Sequence, residues 1–280
     1  MQKLSAYFFT DFNFKSQALW FKRLLYLFLI IESISYVCYY DLFFGENSIV
    51  YSEPKSIGFF KDFAFVLYNS SFSSLGLYFI LFVLLLSAWN LFSGKIYSVS
   101  DFLLWLLVLN IHNRIYPALT GGDNLMNQFL FFNCFLSAYF QIKSGWKAET
   151  KVFFHNLACM AIIIQVCIVY FLSALAKLSD DEWLNGGAIR MISRINYFSL
   201  FSFLTYSKNL APVLIFLNYI VLFYQLFFPL LICVKNLKKP LLILGILMHL
   251  YIAFVMGLVA FGFIMIVAYV FFWPLKPSVS

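Results

Sequence analysis

Apolar segments of about 20 residues recur along almost the whole sequence and are separated by short polar breaks. A helix of that length spans the roughly 30 Å hydrocarbon core of a bilayer, because each residue adds about 1.5 Å. Apolar residues make up 63% of the 280 residues and charged residues only 11%, so water is not the main solvent of the side chains. The sequence therefore predicts an all-α fold, a polytopic transmembrane helical bundle.

Eight segments fit one crossing each, and we expect a single integral membrane domain over 1–280 with additional interfacial helices. The predicted helices cover residues 20–40, 75–93, 99–119, 124–142, 152–177, 211–233, 240–256 and 259–275. One continuous helix over the last two segments would be about 54 Å long, too long for a single crossing, so we expect a break near Gly257. The N-terminal stretch has no small-residue cleavage site, which indicates a retained helix rather than a cleaved signal.

The distribution of basic residues predicts the orientation in the membrane. The net charge of +7 is scattered over short loops, which argues against nucleic-acid binding. Most basic residues, including Lys22 and Arg23, fall on the side that holds the N-terminus, and the positive-inside rule assigns that side to the cytoplasm. Both termini are then cytoplasmic, and residues 41–74, 112–123 and 178–210 face outward.

Two of these outer segments are expected to lie along the membrane surface. Residues 41–74 are too aromatic for a solvated linker, and aromatic side chains favour the membrane interface. Arg190 and Arg194 follow the Gly186-Gly187 pair at a spacing of one helical turn, with isoleucines beside them. This pattern predicts an amphipathic interfacial helix.

A dense group of polar residues joins the third and fourth predicted helices, in the stretch NIHNRIYPALTGGDNLMNQF. Pro117 and the Gly121-Gly122 pair break the helix there, and Asp123 can cap the next one. One interpretation is a capped turn in which Arg114 pairs with Asp123. The other is a functional polar cluster at the outer membrane boundary, where a low dielectric strengthens polar interactions.

Two further polar side chains, His249 and Gln225, lie inside apolar segments. Such groups either form hydrogen bonds between helices or face a cavity. His112 and His249 have no partner at the spacing of a metal-binding motif, so the sequence predicts no metal site.

Lys177 lies in the last turn of the fifth predicted helix, directly before the acidic run Asp180-Asp181-Glu182 and Trp183. An ammonium at the end of a spanning helix either extends to the interface or is held in place for a function. The residues alone leave both interpretations open.

Taken together, these stretches resemble the HTTM (horizontally transferred transmembrane) domain family, which includes vitamin K-dependent gamma-glutamyl carboxylase. The stretch from Tyr170 to Gly187 is similar to a family helix end that carries a lysine, an acidic turn, Trp and Gly. The His112-Asn113-Arg114 turn and His249 with the glycines after it resemble two further landmarks in the same order. The likeness covers about residues 20–274.

The resemblance implies that Lys177 takes a proton from a lipid quinol, with a lipid quinone as the cofactor. A quinol reaches such an amine through the bilayer. Two departures argue against glutamate carboxylation itself. The carboxylase has a pair of lysines where this chain has Ala176-Lys177, and its large lumenal domain has no counterpart here.

Within the HTTM family, proteins that consist of one domain of this size resemble sporulation-delaying protein B. That resemblance implies a bacterial cytoplasmic-membrane protein required for maturation or export of a secreted antimicrobial peptide, in contact with membrane lipid and with a small SdpA-like membrane partner. The alternatives are a quinol-dependent oxidoreductase or carboxylase-like enzyme, and a transporter. The candidate catalytic residues are Lys177, Asp123 and His249, and the candidate substrate-binding residues are His112, Asn113, Arg114, Asn124, Trp183 and Gln225.

Overall fold

In a computed structural model of the chain, the described residues are 7–45, 48, 73–93, 98–137, 146–193 and 211–273. These residues form helices joined by turns and contain no strand, which confirms the all-α fold class. Most of the predicted surface segment 41–74 lies outside the described residues, and so does Arg194.

The helices of the described ranges overlap all eight segments predicted from the sequence. They are α1 Lys15–Cys38, α2 Tyr40–Phe43, α3 Ser73–Phe92, α4 Ser98–Arg114, α5 Gly121–Asn133, α6 Trp146–Leu178, α7 Asp181–Leu184, α8 Ala188–Ser193, α9 Ala211–Leu231, α10 Lys238–Phe254 and α11 Val259–Ala268. Short 3-10 turns follow α4 and α11, at Tyr116–Ala118 and Tyr269–Phe271.

The expected break near Gly257 is confirmed. Helix α10 ends at Phe254 and α11 begins at Val259. Gly257 has a φ of 71°, a left-handed conformation that glycine adopts without the steric cost of a Cβ atom. The chain therefore turns between two helices at the residue best suited to the turn.

Three of the described helices are long and apolar enough to cross a bilayer: Leu75–Phe92, Glu149–Leu178 and Ala211–Leu231. Val259–Phe271 is apolar but shorter. The helices in the other predicted segments are shorter or more polar. Helix α1 includes four charged residues, and α4 and α5 include buried polar side chains. These helices are built to pack against protein as well as against lipid.

The described residues form two compact units, unit 1 within residues 7–160 and unit 2 within residues 161–273. In unit 1, α1 packs against α3, α3 against α4, and α4 against α5. In unit 2, α9 packs against α8 and α10, and α10 packs against α11. Each unit brings its own set of candidate functional residues together.

A buried ion pair lies in unit 1 between α1 and α4. Lys22, counted above among the basic residues of the cytoplasmic side, is fully buried, and its Nζ lies 2.7 Å from Oδ2 of Asp101. The amine also donates to the carbonyl of Asn133 at 2.9 Å, while Tyr26 and the Asn133 amide donate to Oδ1 of Asp101. Lys22 therefore holds helices together and does not mark a loop.

Candidate functional site

Lys177 is held at the end of α6 by neutral neighbours. Its Nζ donates to Oγ of Ser173 at 2.6 Å, one turn earlier on the same helix. The amine also lies 4.9 Å from the centre of the Trp183 ring, close enough for a cation–π contact. Among the described residues, no carboxylate forms an ion pair with this amine. The half-buried amine is therefore neither extended into bulk water nor neutralised by the acidic run that follows it.

Hydrogen bonds from α9 hold Trp183 in place in the turn after α6. The amide of Asn218 donates to the carbonyl of Trp183 at 2.8 Å, and the hydroxyl of Tyr219 donates to the carbonyl of Leu184 at 2.8 Å. Gly186 has a φ of 77°, and a Cβ atom there would lie 3.0 Å from the Ile215 side chain. The left-handed backbone favours glycine at this position, and α9 lies close enough that a larger residue would push against the Ile215 side chain.

Gln225 joins this group through Ser173. The serine hydroxyl donates to Oε1 of Gln225 at 3.4 Å, so α6 and α9 are linked beside the lysine. Ser173, which was not among the predicted site residues, therefore bonds to both Lys177 and Gln225, and Trp183 contacts the Lys177 amine. We name these four residues the lysine group.

His249 belongs to a different cluster of the same unit. Its Nε2 bonds to the hydroxyl of Tyr170, which also bonds to the hydroxyl of Tyr269. Tyr224 completes the cluster, 2.8 Å from the hydroxyl of Tyr269 and bonded to the Leu241 carbonyl at 3.2 Å. Tyr170 lies about two turns before Lys177 on α6, so His249 contacts tyrosines and not the lysine amine.

In unit 1, the turn between α4 and α5 brings His112 and Asp123 together with Glu32 of α1. The closest ligand atoms of these three side chains lie within 4.8 Å of one another. Nε2 of His112 is 3.6 Å from Oε1 of Glu32, and Nδ1 of His112 is 3.1 Å from Oδ1 of Asn127. We name Glu32, His112 and Asp123 the carboxylate–histidine cluster.

A capping box fixes Asp123 in this cluster. Thr120 is the N-cap of α5, and its hydroxyl accepts a hydrogen bond from the backbone of Gly122 at 3.2 Å. The backbone and hydroxyl of Thr120 both donate to Oδ2 of Asp123, at 2.5 and 2.8 Å. Thr120, rather than Asp123, is therefore the cap residue, and Asp123 is the acidic member that completes the box.

The remaining predicted residues lie around this turn. Asn113 is buried, Arg114 is half-buried at the last residue of α4, and Asn124 is exposed on α5. Asn124 therefore does not lie on the buried face of α5 that carries Asp123. The predicted site is divided between the units: Lys177, Trp183, Gln225 and His249 are in unit 2, and the others are in unit 1.

Some of the missed residues did carry a sequence signal. Glu32 is an acid within an apolar segment, which by itself indicates a functional or paired group. Ser173 lies four residues before Lys177, on the same helix face. Tyr170, Tyr224 and Tyr269 are different, because 18 tyrosines in the sequence give no reason to select them.

These helices, with buried polar groups between them and a lysine at the end of a spanning helix, define a helical integral membrane protein. A family model for the HTTM domain matches residues 128–276, more than half of the chain. The chain belongs to the HTTM domain family.

A curated relative, the uncharacterized protein YitO of Bacillus subtilis (strain 168), is 32% identical to this chain over 118 residues. The match covers 39% of this chain and 37% of YitO, so the chain spans little more than a third of that protein. No solved structure matches the chain.

Proposed function

We propose that this chain is a bacterial cytoplasmic-membrane protein that acts in the maturation or export of a secreted antimicrobial peptide, with Lys177 as its reactive group. The observation that carries the proposal is the placement of the Lys177 amine, which is held by Ser173 and Trp183 with no carboxylate partner among the described residues. An amine whose only role was to extend to the interface at the end of a spanning helix would not require the hydrogen bond to Ser173 and the contact with the Trp183 ring.

The neighbours of the amine suit proton exchange with a substrate. Ser173 fixes the position of Nζ, and the Trp183 face offers a neutral partner for the ammonium that forms when the amine accepts a proton. Gln225, bonded to Ser173, adds an amide that can bind a polar substrate atom. In this proposal Lys177 is the catalytic residue, and Trp183 and Gln225 are the binding residues.

The peptide substrate and a small SdpA-like membrane partner follow from the resemblance to sporulation-delaying protein B. A peptide emerging from the membrane would reach the lysine group at the end of α6, where the apolar helix gives way to the exposed turn at Asp180 and Asp181. Under this proposal the chain supplies the reactive site, and the partner presents the peptide.

A second candidate is a quinol-dependent oxidoreductase or carboxylase-like enzyme. It is favoured by the apolar surface next to the amine, because the exposed side chains of Leu175 and Leu178 face the route by which a lipid-soluble quinol would arrive. In that case Lys177 would accept the quinol proton, and a lipid quinone would purify with the protein.

The test uses Lys177→Ala in host cells whose secretion of a mature antimicrobial peptide is lost when the wild-type protein is deleted. We expect mature peptide in the medium to fall at least about 100-fold, the order expected for loss of a general acid–base group. Lys151→Ala is the matched control, because Lys151 is an exposed lysine on the same helix. Immunoblots of membranes must show equal amounts of both variants.

Undiminished peptide from a stably inserted Lys177→Ala variant would remove the catalytic role. Ser173→Ala should reduce output less, since it removes only the hydrogen bond that positions the amine. Lipid extracts of the purified wild-type protein distinguish the two candidates: a quinone bound by the wild type and not by Lys177→Ala favours the quinol enzyme.

A further inference from the structure

The carboxylate–histidine cluster collects ligand atoms from three helices of unit 1. Glu32 comes from α1, His112 from α4 and Asp123 from α5. His112 and Asp123 are buried, and Glu32 keeps 13% of its side chain exposed. The cluster is therefore shielded from solvent except at Glu32.

The orientation of His112 leaves one ring nitrogen directed at the acids. Nδ1 of His112 lies 3.1 Å from Oδ1 of Asn127, and this hydrogen bond orients the ring so that Nε2 is directed at Glu32. Nε2 has no hydrogen-bond partner in the described part of the chain, although His112 is fully buried. A buried ring nitrogen 3.6 Å from a carboxylate oxygen is favourable only when a cation lies between the two atoms, either a proton on Nε2 or a metal ion that both atoms bind.

Hydrogen bonds also orient the two carboxylates of the cluster. Tyr36 donates to Oε1 of Glu32 at 3.2 Å, and both Thr120 bonds go to Oδ2 of Asp123. Oδ1 of Asp123 takes no part in the capping box. Hydrogen bonds of this kind orient metal-binding carboxylates and histidines.

We propose that Glu32, His112 and Asp123 bind a divalent first-row transition-metal ion. The 3.6 Å between Nε2 and Oε1 exceeds a hydrogen bond and is near the roughly 3.3 Å that separates two ligand atoms about 2.0–2.1 Å from a tetrahedral metal. One imidazole and two carboxylates suit Zn²⁺, Mn²⁺ or Fe²⁺. Three protein ligands leave a coordination position open for water or a substrate.

This site lies outside residues 128–276, which match the HTTM family model. It contains none of the four residues of the lysine group. The proposal therefore depends on the geometry of this chain alone, and it stands or falls separately from the role of Lys177.

The experiment measures metal bound by the full chain, purified in detergent without a polyhistidine tag and stripped with a chelator. Zn²⁺ alone and Mn²⁺ alone are titrated by calorimetry, and bound metal is counted by mass spectrometry. We expect about one ion per chain. Mn²⁺ reports on the carboxylates and imidazole without interference from thiols, which prefer softer metals.

His112→Ala and Glu32→Gln should each lose the high-affinity ion. Glu32→Gln is nearly isosteric, so it keeps the test valid if His112→Ala fails to fold. Asn127→Ala should weaken binding roughly 10–100-fold, as expected for loss of a residue that orients a metal-binding histidine. Equal binding by the wild type, His112→Ala and Glu32→Gln would show adventitious metal only and overturn the proposal, as would no binding by the wild type.

A matched pair of variants separates the ligand role of Asp123 from its capping role. Asp123→Asn keeps an acceptor for Thr120 but loses the carboxylate, so it should lose the ion. Thr120→Ala removes the cap and one of the two hydrogen bonds to Oδ2 but keeps the carboxylate, so it should retain the ion with an affinity weakened no more than by Asn127→Ala. The reverse result would assign Asp123 to helix capping alone.

Discussion

At the scale of single residues, the Lys22–Asp101 pair makes the strongest prediction about stability. Both side chains are almost fully buried, and four hydrogen bonds surround them. Removing one partner leaves a buried charge without compensation, so Lys22→Met should cost about 3–5 kcal/mol of the free energy of unfolding. Thermal unfolding in detergent measures the effect.

Lys15→Met is the control for this prediction. Lys15 forms an exposed pair with Asp11 at 3.1 Å, and such pairs contribute only about 0–1 kcal/mol. Removing both partners, as in Lys22→Met with Asp101→Leu, should recover much of the lost stability. Equal unfolding temperatures for Lys15→Met and Lys22→Met would contradict a structural role for the buried pair.

The sequence could predict some of these residues and not others. It predicted Lys177 and Trp183 from one short stretch, and the two side chains do contact each other because they lie close together in the sequence. It counted Lys22 with the basic loop residues, because its partner Asp101 lies on another helix and no spacing rule connects them. For the same reason, the sequence did not predict Glu32 as a site residue, because Glu32 contacts His112 only after α1 and α4 fold into unit 1.

At the scale of helices, α10 and α11 approach each other so closely that glycine is required. A Cβ atom at Gly262 would lie 2.5 Å from the carbonyl oxygen of His249 and 2.7 Å from Cβ of Ala253. The backbone oxygen cannot rotate away, so Gly262→Ala should separate the helices and cost about 1–3 kcal/mol. Unfolding measurements in detergent report this cost.

Gly121→Ala is the matched control, because a Cβ atom at Gly121 meets no atom within 4 Å. It should leave the unfolding temperature nearly unchanged. A Gly262→Ala protein as stable as Gly121→Ala would show that α10 and α11 are not tightly packed, and His249 would then lack its fixed position among the tyrosines.

At the scale of the whole molecule, the structure confirms the predicted helices, whereas the eight predicted crossings stay a prediction. Helix formation follows from local periodicity, whereas crossing depends on how far polar side chains are covered by neighbouring helices. Helices α3, α6 and α9 each contain an apolar stretch long enough to cross a bilayer, and the sequence alone identifies such a stretch. Helices α4 and α10 contain the buried residues His112 and His249. Whether these two helices cross depends on the neighbouring helices that cover the histidines.

We propose that all eight segments cross, with both ends of this sequence on the cytoplasmic side. The decisive pair is α10 and α11, which are 17 and 10 residues long. If both cross, residue 236 is cytoplasmic and residue 257 is external. If neither crosses, both residues are cytoplasmic. The basic residues Lys235, Lys238 and Lys239 favour a cytoplasmic turn before α10.

Reporter fusions at three positions decide between these topologies. Alkaline phosphatase, which is active only outside the cytoplasm, should be active when fused after residues 185 and 257 and inactive after residue 236. Green fluorescent protein, which folds in the cytoplasm, should give the opposite pattern. Fluorescence without phosphatase activity at 257 would make α10 and α11 a hairpin on the cytoplasmic side. The outward placement of the lysine group would still hold, because residue 185 reports on it independently.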